Sequence, residues 1–147
     1  MLRDRLARDE SGSTLLLTIG CCVLGLAVIV VTIGATSLYL ERKRLFTIAD
    51  GAALAGAEAF VLADVRREGD RLVVELDPDD VSAAVAEHLA ASVGARDEVR
   101  VLRATSTDGR SATVTLGTTW RAPILGEWLP AEVPIDVTSV ARSVFSG

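Results

Sequence analysis

The first feature of the chain is a long stretch near its start that contains no charged residue. Between Ser11 and Leu40 there is no Asp, Glu, Lys or Arg, and most side chains are apolar. A helix needs about 20 apolar residues to cross the roughly 30 Å hydrocarbon core of a bilayer, and this stretch is longer. We therefore predict a transmembrane helix over residues 13–40, preceded by a short cytoplasmic tail at residues 1–12.

Three other interpretations of this stretch agree less well with the sequence. A cleaved signal peptide has an apolar region of about 7–15 residues, whereas this one is longer and continues into a helical pattern. A lipoprotein signal would end at Cys21, but the apolar run continues beyond that residue. A buried helix of a soluble protein would need a larger domain to cover it.

The pattern changes after Leu40, where small and apolar residues recur every three or four positions. This period is typical of an amphipathic helix, and we predict that the helix continues over residues 41–63. Small side chains four residues apart allow another helix or a sheet to approach closely. The predicted helix-packing face consists of Ala49, Ala52, Ala53, Gly56 and Ala57. The pattern fits contact with the chain's own domain and contact with a neighbouring subunit equally well.

The remaining residues, 64–147, have the patterns of a small α+β domain. Asp77-Pro-Asp-Asp suits the start of a helix that ends near Gly94, and Asp108-Gly109 is typical of a hairpin turn. Alternating apolar residues predict four strands, at 71–76, 98–104, 112–120 and 135–142. A proline-containing loop is predicted from Ala122 to Pro134. The fold class expected is a long N-terminal helix followed by a small helix and an antiparallel sheet, with unprotected edges.

An apolar group near this loop has two interpretations. It either covers the sheet or forms a docking patch for a partner. Its members are Trp120, Leu125, Trp128 and Leu129.

Charge and composition exclude several classes of function. Residues 64–147 contain 14 acidic and 9 basic side chains, a net charge of −5, so nucleic acid is not a predicted partner. His88 is the only histidine, and no known catalytic or phosphate-binding motif is present. Cys21 and Cys22 are neighbours in the apolar run and cannot bridge each other. We predict no enzyme activity, no cofactor, no metal site and no small-molecule substrate.

Two segments resemble a known family. The entry Asp9-Glu-Ser-Gly-Ser13 opens the apolar helix, and the alanine-rich segment Ala49-Asp-Gly-Ala-Ala-Leu-Ala-Gly-Ala57 follows a basic turn. Together they are similar to the N-terminal region of TadE/TadG-like proteins of Flp (Tad) pilus assembly, although Gly51 replaces the usual alanine. The resemblance covers about residues 9–60. It implies a pilin-like, membrane-anchored structural component whose partners are membrane lipid and other pilus-assembly subunits, contacted through the N-terminal helix.

The resemblance also bears on processing and orientation. Pilin-like members are cut after a glycine that a glutamate follows at the fifth position, which would place the processing site at Gly12 and Ser13. Leu17 stands at the fifth position, so the sequence leans towards the unprocessed, TadG-like type. Basic residues flank both ends of the apolar run equally. We expect a single-pass protein of the cell membrane with the N-terminus in the cytoplasm and the domain outside.

One alternative function is a membrane-anchored binding or signalling domain that is unrelated to pili. It predicts a flexible linker after residue 40, whereas pilus assembly predicts an uninterrupted helix.

Overall fold

The computed structural model describes residues 2–59, 65–68, 71–94, 98–123 and 132–142. For residues 2–12, 65–68 and 71–74 it describes the backbone alone. The elements are the helices α1 (Leu2–Ala57) and α2 (Pro78–Ser92) and the strands β1 (Val65–Glu68), β2 (Arg71–Val74), β3 (Arg100–Ser106), β4 (Ser111–Arg121) and β5 (Glu132–Arg142). The α+β prediction is confirmed: a long apolar helix precedes a small helix and an antiparallel sheet.

Helix α1 is continuous over 56 residues, which corresponds to a length of roughly 84 Å. It begins before the predicted Ser13 and ends at Ala57, earlier than the predicted Ala63. The chain leaves the helix in a turn in which the Glu58 N–H donates to the Leu54 carbonyl at 3.1 Å. Residues 60–64, which the prediction also covered, lie outside the described residues.

The principal sheet has three strands in the order β3-β4-β5, all antiparallel. Its strands lie where alternation predicted them, but β5 begins at Glu132, so Pro134 lies in a strand and not in the predicted loop. Pro134 pairs with Thr119, and β5 is an edge strand of this sheet, where the missing N–H of proline is tolerated. Trp120 lies in β4, as the predicted strand over 112–120 has it. Leu125, Trp128 and Leu129 lie outside the described residues.

A second, two-stranded sheet joins β1 to β2. The alternating pattern predicted β2, but it did not predict β1, because Val-Arg-Arg-Glu has no apolar alternation. The prediction for β2 also extended to Leu76, whereas the strand ends at Val74.

Helix α2 begins as the sequence predicts. Asp77 is its N-cap, and the Asp77 carboxylate accepts a hydrogen bond from the Asp79 N–H at 2.8 Å, with Pro78 in the first turn. Val81, Val85 and Leu89 form a buried stripe along one side of the helix.

The hydrophobic core lies between the second half of α1, helix α2 and the inner face of the sheet. Alternate residues of β4 and β5 face it. The largest fully buried side chains are Leu45, Val81, Val85, Val114 and Leu116. The second half of α1 is thus an integral part of the domain, because it covers the sheet and α2.

Candidate functional site: the long helix and its junction with the domain

The large apolar side chains in the first part of α1 are exposed. Large apolar side chains along it are 42% exposed at Ile33 and as much as 75% exposed at Leu16. The most apolar stretch within Ser13–Ala57 has a mean hydropathy of 2.8, and none of it is buried. A helix that is apolar on all sides is stable only where something apolar surrounds it, so length and composition make this segment a candidate membrane span.

The domain first contacts α1 inside the uncharged run. The Trp120 indole N–H donates to the Ser37 hydroxyl at 3.2 Å, and Leu38 packs against the edge of the core. Sequence reasoning missed this contact because Ser37 and Trp120 lie 83 residues apart in the chain. No linker separates the candidate span from the domain, since α1 is continuous through residue 40.

The predicted helix-packing face is buried within the chain. Its four alanines, Ala49, Ala52, Ala53 and Ala57, have no exposed surface, and Gly56 is buried as well. A Cβ added at Gly56 would lie 3.1–3.2 Å from side-chain carbons of Ala112, Val81 and Val85. Of the two contacts that the sequence left open, the structure contains the one with the chain's own domain.

A charged residue of the alanine-rich segment fixes the helix to the sheet. Asp50 accepts a short hydrogen bond from the hydroxyl of Ser139 on β5. Ser139 is 8% exposed, and hydrogen bonds to a carboxylate are about twice as strong as those between neutral groups. The contact joins positions 89 residues apart in the chain, so no local sequence pattern reveals it.

Gly51, at which the chain departs from the family pattern, lies under the second helix. A Cβ at this position would lie 3.1 Å from Nε2 of His88, whose ring also lies 3.4 Å from the Ser92 hydroxyl. The histidine side chain of α2 thus occupies the space that an alanine methyl would need. His88 therefore has a packing role between α2 and α1.

The β3–β4 turn is held by one carboxylate. Asp108 accepts hydrogen bonds from the Arg110 N–H at 3.0 Å and from the N–H and hydroxyl of Ser111, each at 2.8 Å. These bonds, with that from Arg110 the largest, lower the pKa of Asp108 from 3.8 to about 2. Gly109 has a φ of 65°, which suits glycine, and its carbonyl accepts from the Leu76 N–H at 2.8 Å. The predicted Asp108-Gly109 turn is confirmed.

Among the residues whose side chains are described, no metal-binding cluster is present. No group of three or more His, Cys, Asp or Glu side chains is close enough to hold a metal ion. The exposed cation Arg121 contacts Glu132 at 3.0 Å and Glu98 at 3.7 Å. These carboxylates raise the pKa of Arg121, and such surface ion pairs contribute little to stability.

Comparison with known families gives one result. Residues 12–59 match the family model described as "Putative Flp pilus-assembly TadE/G-like", which confirms the resemblance over about a third of the chain. No curated protein and no solved structure matches the chain. The matched segment includes the candidate span and the alanine-rich face, and it ends two residues after α1. The match supports a role in pilus assembly, and the family is structural and not enzymatic.

Proposed function

We propose that this chain is a membrane-anchored structural component of a Tad/Flp-type pilus or of a related secretion apparatus. One observation carries the proposal: the segment that matches the pilus-assembly family is a single helix that is exposed and apolar in its first part and forms the domain core in its second. Such a helix holds the domain at a fixed position relative to the membrane, because it contains no flexible joint.

The proposed arrangement follows the predicted boundaries. Residues 1–12 lie in the cytoplasm, 13–40 cross the membrane, and 41–63 together with 64–147 form the extracytoplasmic part, whose core includes α1 up to Ala57. The N-terminal segment is not cleaved after Gly12, because Leu17 stands where processed pilins have a glutamate. Mass spectrometry of the protein from membranes checks this point, since an N-terminus at Ser13 would contradict it.

The proposed partners are other pilus-assembly subunits, and they contact the exposed part of α1. The alanine-rich face is already occupied by α2 and the sheet. The lipid-facing residues before Ser37 remain available to a partner helix. Gly20, Gly25 and Gly34 have open space around the position of a Cβ, which allows two helices to approach closely in a bilayer.

Piliation of a deletion strain tests the function. We expect the deletion strain to lose its surface pili and to recover them when the wild-type chain is supplied. Normal pili on the deletion strain would contradict the proposal. A second variant replaces residues 14–36 with an unrelated apolar helix of equal length. This variant keeps the anchor and the domain but removes the specific helix surface. We expect it to reach the membrane without restoring pili; full recovery would show that the helix serves as an anchor alone.

The alternative of a binding or signalling domain on a flexible tether predicted a linker after residue 40. Helix α1 continues for 17 residues beyond that point, which supports the pilus component over the tethered domain.

A further inference from the structure

The side of the domain that adjoins the candidate span carries groups suited to a lipid surface. Trp120 is half-buried and bonded to Ser37, and Tyr39 is 64% exposed two residues further along α1. Tryptophan and tyrosine are enriched where the hydrocarbon core meets the headgroups. Because Ser37 lies within the uncharged run, this edge of the domain lies at the membrane boundary if the run crosses the bilayer, as proposed above.

A groove runs along α1 at the same level. Its volume is about 490 Å³, and its described lining changes from apolar and hydroxyl side chains at one end to charged ones at the other. The lining residues are Thr32, Ile33, Thr36, Ser37, Leu40, Glu41 and Arg44. Arg44 follows Ser37 by seven residues, or roughly 10 Å along the helix axis. Each headgroup layer is roughly 5–8 Å thick, so a long arginine side chain reaches it.

The part of α1 beside this groove is positively charged, whereas the rest of the domain is negatively charged. Residues 42–44 are consecutive cations and all are exposed, whereas residues 64–147 carry a net charge of −5. An acidic domain is repelled by an anionic bilayer, and basic side chains close to the surface are attracted to it. The Arg44 side chain, which lies 3.9 Å from Glu41, is 51% exposed, so a phosphate can reach its guanidinium group.

We propose that this groove binds an anionic phospholipid, with an acyl chain along Ile33 and Leu40 and the headgroup phosphate at Arg44. The proposal rests on the membrane anchoring proposed above. The bound lipid lies along α1 at the end of the span, and Trp120 lies in the surrounding headgroup layer. The domain is thereby seated on the membrane in spite of its negative charge.

The first test measures lipid retained by the full-length protein. The protein is reconstituted into phosphatidylcholine bilayers with or without phosphatidylglycerol, released, and examined by native mass spectrometry. We expect retained phosphatidylglycerol on the wild type, little retained phosphatidylcholine, and about five-fold less phosphatidylglycerol on Arg44→Gln. The matched control is Arg42→Gln, which removes the same charge two residues away at a position that does not line the groove. We expect less than a two-fold change for this control.

Three results of this test would overturn the proposal. Equal losses in both variants would show general attraction to the surface and no defined site. Unchanged retention in Arg44→Gln, or equal retention of the two lipids by the wild type, would show that Arg44 does not bind an anionic headgroup.

The second test measures the depth of Trp120. Trp128 is replaced by phenylalanine so that Trp120 is the only tryptophan, and lipids brominated near the headgroup or near the chain end serve as quenchers. We expect stronger quenching from the shallow position, and equal or absent quenching by both lipids would contradict the seated domain. Failure of anchoring itself is distinguishable, because the protein would then leave the bilayer fraction altogether.

Discussion

Replacing Gly56 with alanine tests how closely α1 packs against the domain. The added methyl would lie 3.1 Å from the Ala112 Cβ and the Val81 Cγ1 and 3.2 Å from the Val85 Cγ2. These neighbours cannot rotate away, because one is a Cβ and the others belong to β-branched side chains that are completely buried. Forcing a methyl into such a site costs about 1–3 kcal/mol.

The higher helix propensity of alanine offsets part of this packing cost. Alanine stabilises a helix interior by about 1 kcal/mol relative to glycine, but Gly56 is the penultimate residue of α1, where the gain is smaller. We expect Gly56→Ala to lower the free energy of unfolding by about 1–2 kcal/mol. The melting temperature should fall by at least about 4 °C.

Gly51→Ala is the matched control, five residues away in the same helix. Its methyl would meet Nε2 of His88 at 3.1 Å, but this is the end of a half-buried side chain that can rotate towards solvent. The helix propensity then dominates, and we expect a gain of about 0.5–1 kcal/mol. Thermal unfolding of the full-length protein in detergent micelles, followed by near-UV circular dichroism, measures both variants. Equal shifts of the same sign would refute the packing argument.

Three further predictions test the junction and the turn. Leu45→Ala, at a position 1% exposed, should destabilise the domain by about 2–5 kcal/mol, whereas Leu40→Ala, at a position 58% exposed, should leave its unfolding transition unchanged. Ser139→Ala removes the donor to Asp50, whose exposed carboxylate regains water, and should cost about 0.5–1.5 kcal/mol in the same unfolding assay. Folding lowers the pKa of Asp108 from 3.8 to about 2. The carboxylate therefore stabilises the turn above pH 4 and loses this effect as the pH falls to 2. Asp108→Asn should flatten the dependence of the melting temperature on pH between these values.

The sequence predicted most of the elements because their signals are local. Charge-free length identified the first part of α1, alternation identified the strands of the main sheet, and Asp77 identified the start of α2. Strand β1 escaped prediction because its two arginines and one glutamate carry no apolar pattern, and its pairing with β2 supplies the structure. Pro134 was predicted to lie in a loop, because a proline is tolerated in a strand at the edge of a sheet and only the strand order shows that β5 is such a strand.

The junction could not be predicted in the same way. The spacing of Ala49, Ala53 and Ala57 shows that something approaches this face closely, but it does not identify what approaches. The partners, α2 and β4–β5, are distant in sequence, as are the hydrogen bonds from Trp120 to Ser37 and from Ser139 to Asp50. Gly51 stands where the family usually has alanine, and this difference indicates that another residue lies close to the helix. The structure identifies that residue as His88.

The accessibility of Cys21 and Cys22 decides whether the uncharged part of α1 lies in a bilayer. Both thiols are exposed on α1, and they are the only two cysteines of the chain, so a bilayer around residues 13–40 would shield them. In native membranes, a membrane-impermeant maleimide should leave both unlabelled until the detergent SDS is added, whereas the Ala86→Cys variant should be labelled on the exposed side of α2. Labelling of Cys21 and Cys22 in intact membranes at the rate of the Ala86→Cys thiol would contradict the account.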